Sequence, residues 1–153
     1  MSPTVEKAPL AAMRIPCEPA AGQVNSQLNI AVIFTSIEST LSALRKAGTL
    51  ASRLRARITL MVPQVVPYPL PLNCPPVPAD FTERRFRVIA DESPVETKVQ
   101  VYLCRDRMEA LGSVLKPHSL VVVGGHGSWW PTREKRLVRQ LRRCGHEVVF
   151  AKT

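Results

Sequence analysis

Cysteine is scarce in this chain. Cys17, Cys74, Cys104 and Cys144 stand far apart, with no Cys-x-x-Cys pair and no Cys/His pair at zinc spacing. That excludes a disulfide framework and a structural zinc site, and it leaves reduced, mostly buried thiols as the expectation. Long apolar runs are missing too: nothing approaches the roughly 18 residues of a membrane span. Residues 1–22 lack the basic start and apolar core of a secretory signal, so a cytoplasmic protein without a membrane partner is expected. Carboxylate pairs, metal ligands and nucleophile–base arrangements are absent as well. No catalytic or metal-binding residue is therefore nominated, and the chain is read as a non-enzyme. No internal repeat is visible.

What the chain does contain is apolar mass and positive charge. Its 153 residues are 45% hydrophobic, enough for one domain with a real core. Residues 1–27 balance Lys7 and Arg14 against Glu6 and Glu18, so the whole formal charge of +9 lies on residues 28–153. Arg133, Lys135, Arg136, Arg139, Arg142 and Arg143, opposed only by Glu134, concentrate it on one predicted helix. A positive surface of this kind suits an acidic or phosphorylated partner, with Arg136, Arg139, Arg142 and Arg143 facing solvent.

The most informative stretch is Ser119-Leu-Val-Val-Val-Gly-Gly-His-Gly-Ser128, followed by Pro131 and Thr132. A β-branched run without polar alternation must be covered on both faces, which predicts a central strand of a parallel sheet. Gly124, Gly125 and Gly127 fall where the strand hands over to a helix, the place where α/β sheets bind phosphates. Similar reasoning orders the remainder. Residues 1–26, with four prolines and no apolar period, predict a disordered tail. A first strand spans residues 28–34, and Ser36, Ser39 or Thr40 caps the following helix through Leu54. A second strand covers residues 57–62. Seven of the fourteen prolines fall between Pro63 and Pro78, which predicts a loop over residues 63–79.

A short helix over 80–91 offers Phe81, Phe86 and Ile89 to the core, and a half-buried strand over 96–103 follows. Next come a helix over 106–116, the central strand, the basic helix over 132–144 with Gly145 at its end, and a last strand over 147–151. The fold class is thus α/β, a single domain over residues 27–153 with a doubly wound five-stranded parallel sheet.

Residues 28–62 and 119–151 resemble the universal stress protein family in this order of elements and in the glycine loop after the fourth strand. The resemblance implies a stress-response domain and, in nucleotide-binding members, an acidic residue after the first strand. It also implies Gly-x-x-Gly, nine residues, then Gly-Ser or Gly-Thr. Gly124 and Gly127 match the opening pair, but Leu137 and Val138 stand where the second pair belongs, and Thr35 stands at the acidic position. Three functions stay open. The leading one is a non-catalytic regulatory or interaction domain with a degenerate ligand site. The second binds ATP or another adenine nucleotide in a remodelled pocket built from Thr35, Ser36, Gly124, Gly125, His126, Gly127, Ser128, Thr132 and Arg133. The third binds nucleic acid through the basic helix. The resemblance further implies a homodimer joined through the terminal strand, whose residues run from Glu147 to Ala151. The side-by-side Trp129 and Trp130 are expected to cover the sheet end and pack beneath the helix.

Overall fold

The computed structural model describes Met13–Arg14 and residues 28–153. Its elements in chain order are β1 (Met13–Arg14), β2 (Asn29–Ile33), α1 (Ile37–Leu54), β3 (Arg57–Val65), α2 (Ala79–Ala90), β4 (Thr97–Cys104), α3 (Arg107–Val114), β5 (Leu120–Gly125), α4 (Arg133–Arg143) and β6 (Glu147–Lys152). One sheet joins the strands in the order β1-β4-β3-β2-β5-β6. All neighbours are parallel except β1, which lies antiparallel to β4 opposite Leu103 and Tyr102. The tail expected over residues 1–26 otherwise lies outside the described residues.

The buried strand β5 explains the architecture. Along β5, Val122 packs on one face while Val121 and Val123 pack on the other, so both faces need a cover. Leu44, Ala47 and Ala51 of α1 and Phe86 of α2 cover the first; Leu111 of α3 and Leu137, Val138 and Leu141 of α4 cover the second. The chain starts at β2 in the middle, winds outward through β3 and β4, then crosses back to β5 and β6. Helices therefore lie on both faces, and the strand order reverses between β2 and β5.

Helix ends follow their local chemistry. Ser36 is the cap of α1, its hydroxyl accepting from the Ser39 N–H at 3.3 Å, while Ser39 and Thr40 are buried. At the end of α4 the Gly145 N–H donates to the Arg142 carbonyl and the His146 N–H to the Leu141 carbonyl, the Schellman pairing. Gly145 sits at φ +89°, which an L side chain rarely adopts.

Two expectations are corrected. Strand β3 continues through Pro63 to Val65, paired with β4 as far as Cys104. Successive residues of a strand turn their main-chain groups to alternate sides. The Met61 carbonyl accepts from the Phe34 N–H on the β2 side, and the Val66 N–H donates to Cys104 on the β4 side. Pro63 therefore turns its missing N–H toward the last residue paired on that side, Phe34, whose carbonyl accepts from the Arg107 guanidinium instead. Phe81 is the second correction: it is 55% exposed, and Phe86 alone of the two α2 phenylalanines is buried. Beyond β3 the proline-rich loop is tied down by Arg105, which donates to the carbonyls of Val66 at 2.8 Å and Leu70 at 2.6 Å and stacks over the Tyr68 ring at 4.2 Å.

Candidate functional site

The reversal of strand order places the ends of β2 and β5 side by side, the position at which open α/β sheets bind ligands. Thr35 and Gly124 meet there. The Thr35 hydroxyl donates to the Gly124 carbonyl at 3.0 Å, and the Thr35 N–H donates to the Thr40 hydroxyl at 3.3 Å. Helix α1 starts directly above. A Cβ added at Gly124 would stand 2.5 Å from the Ser39 carbonyl carbon and closer still to its oxygen. Gly124 thus lets helix backbone lie against strand backbone.

The other glycines have similar neighbours. A Cβ at Gly125 would meet the Phe150 ring at 2.8 Å, and the Gly125 carbonyl accepts from the Thr153 N–H at 3.0 Å. At Gly127 the aliphatic chain of Lys152 crosses the position, with Cδ 2.7 Å from where a Cβ would be. The loop then folds back on α4. The Ser128 hydroxyl accepts from the Trp130 N–H at 3.2 Å, and the Thr132 hydroxyl caps the helix at the Lys135 N–H, 3.3 Å away. The Lys135 ammonium donates to the Ser128 carbonyl and, at 3.5 Å, to that of Trp130. His126 and Arg133 are exposed, and Ser36 is spent on its cap. The structure therefore brings Thr35, Gly124 and Gly125 together. It uses Ser128 and Thr132 within the loop and leaves His126 and Arg133 outside.

Sequence reasoning missed Arg107. It opens α3 just after the Asp106 cap, and its guanidinium reaches across to donate to the Phe34 carbonyl at the end of β2. Burial pulls its pKa below the ordinary value, against the opposing influence of Cys104 and Glu134. Nε is buried without a partner. Nothing local marks this arginine, since its target lies 73 residues away. Cys104, beside it, is buried and donates to the Gln64 carbonyl at 3.7 Å. Burial, then the carboxylate of Asp106, push its thiol up, the opposite of what a nucleophilic cysteine needs. Among the described residues no cluster of three His, Cys, Asp or Glu side chains is arranged to hold a metal ion.

The tryptophans overturn an expectation. Trp129 is 94% exposed and Trp130 75%, so neither covers the sheet end. Lys135 and Ser128 hold their backbone to α4 and leave the rings pointing into solvent.

No family model and no curated protein matches the chain. A solved structure does: a crystal structure of a protein from the universal stress protein family from Burkholderia pseudomallei aligns over 84% of this chain and 98% of that one. The TM-score is 0.56 and the sequence identity 18%. The fold is that of a universal stress protein. In this universal-stress-protein-like fold the ends of β2 and β5 lie side by side, and the Thr35 hydroxyl bonds to the Gly124 carbonyl between them. No helix among the described residues is long and apolar enough to cross a membrane.

Proposed function

We propose that this chain is a non-catalytic, cytoplasmic, universal-stress-protein-like interaction domain whose nucleotide crevice has closed on itself. The observation that carries the reading is the contact at Gly124. Its Cβ position is taken by the α1 backbone and its carbonyl accepts from Thr35, so the end of β5 is engaged by the protein's own groups. A domain without an open crevice acts through its surface, and the charge on α4 and the free edge of β6 are the surfaces it offers.

Thermal unfolding in the presence of ATP, AMP and a cyclic dinucleotide tests this. A ligand at 100 times its Kd adds about 2.7 kcal/mol, a rise of several degrees in a domain of this size. No rise is expected with any of the three, and a reproducible one overturns the reading.

A second reading keeps an adenine nucleotide or another phosphorylated ligand at the same place. In its favour stands Arg107, a cation with an unpartnered Nε at the end of β2. It predicts a stabilising shift with one of those ligands that Arg107→Ala abolishes.

A further inference from the structure

Two exposed indoles and an exposed cationic stripe lie next to one another, and the fold uses neither. Helix α4 buries Leu137, Val138 and Leu141, which leaves Arg136, Arg139 and Arg143 along the opposite side at helical spacing, with Arg133 flanking them. Arg142 differs, because its guanidinium donates to the Val148 carbonyl at 3.0 Å. The stripe begins one turn from Trp129 and Trp130, whose backbone the Lys135 ammonium and the Ser128 hydroxyl hold in place.

We infer that this face binds single-stranded nucleic acid: unpaired bases stack on Trp129 and Trp130 while Arg133, Arg136, Arg139 and Arg143 hold successive phosphates. The charge is of the right sign and has no carboxylate partner within ion-pair distance among the described residues. Indole faces accept any base, and a tethered loop presents them without the entropy cost of ordering. Arg136 and Arg143 lie about 10 Å apart along the helix axis, a span that tracks a backbone rather than one phosphate group. A duplex hides its base faces and leaves the indoles unused. An anionic bilayer is the poorer match, because the apolar side of α4 is buried against the sheet and only the two indoles remain to enter lipid.

The inference rests on the interaction-domain reading but uses a different surface from the crevice. Trp129 and Trp130 are the chain's only tryptophans, so its intrinsic fluorescence reports directly on the proposed contact. Titration with oligo(U) and oligo(dT) at low salt should quench that emission. Log affinity against log salt should fall with a slope of roughly −2 to −3, set by three to four released phosphate counterions. Anisotropy of a dye-labelled oligonucleotide should weaken by about 5- to 150-fold for each of Trp129→Ala and Trp130→Ala. The triple change Arg136→Gln, Arg139→Gln, Arg143→Gln should flatten the salt slope by about 2. Arg53→Gln, an equal kind of charge loss on α1, should change the slope little. All these positions are exposed, and circular dichroism confirms that each variant folds.

Absence of quenching at low salt overturns the inference. So does binding that ignores both tryptophans, a preference for duplex, or quenching by phosphatidylserine vesicles but not by oligonucleotides. A nucleotide-induced thermal shift retained in the tryptophan variants would instead overturn the closed-crevice reading and leave this one standing.

Discussion

At the scale of single residues, Gly124 and Gly127 look alike in the sequence and differ in what surrounds them. Gly124 lies against backbone, the Ser39 carbonyl of a helix packed on both the strand and the sheet, and that carbonyl cannot move without moving α1. Gly127 lies against the far end of Lys152, a flexible side chain that can swing into water. Gly124→Ala should therefore lower stability by about 3 kcal/mol, near the upper end of overpacking costs, and Gly127→Ala by less than about 1 kcal/mol. Urea unfolding of the two variants checks this, and equal losses would show that α1 is not pressed against the strand as described. The same contrast explains why the glycine loop was legible in the sequence as a special segment while its purpose was not. Glycine spacing reports that backbone must come close to something, and only the fold says whether that is a phosphate or a helix.

At the scale of elements, the strands β2 and β5 were legible because complete burial leaves an uninterrupted apolar run, and α4 because its charged and apolar residues alternate at helical spacing. Pro63 misled because a missing N–H matters only where its acceptor is left without another donor. That acceptor, the Phe34 carbonyl, lies about thirty positions earlier in the chain and is served by Arg107. Trp129 and Trp130 misled for a related reason. Large aromatic residues beside a helix are ordinarily buried by it, but here Lys135 and Thr132 pull the intervening backbone onto the helix start and turn the rings outward. Arg107 lacked any local signal, since its partner belongs to a strand on the far side of two crossovers. Because the Thr132 hydroxyl fastens the Lys135 N–H at the first turn of α4, Thr132→Ala should cost about 1 kcal/mol. It should also raise hydrogen exchange at the first amides of α4 without affecting those of α1. Unchanged protection at Lys135 would mean that the loop, not the cap, holds the helix start.

At the scale of the whole molecule, the open question is whether β6 ends the sheet or continues it into a second copy. Glu147, Val149, Ala151 and Thr153 sit on the parity that turns main-chain groups toward β5, as the Glu147 and Thr153 N–H bonds to Ser119 and Gly125 show. Val148, Phe150 and Lys152 turn theirs toward the free edge. Arg142 covers one of those acceptors by donating to the Val148 carbonyl, a safeguard that the sequence did not reveal. We propose that two chains pair antiparallel through residues 147–151 about a two-fold axis, Arg142 giving way as they do so. Each copy brings a formal +9, so repulsion opposes the pair and salt favours it. Light scattering at moderate salt should then give a dimer mass for the native chain. Val149→Lys, which sets a further cation beside the seam at a position partly packed on the core, should give monomers that circular dichroism shows to be folded. Arg142→Ala, which uncovers the Val148 carbonyl and removes a charge, should move the monomer–dimer equilibrium toward the dimer and weaken its dependence on salt. If both variants keep the native mass and the native salt response, this strand is not the contact and β6 is a true edge.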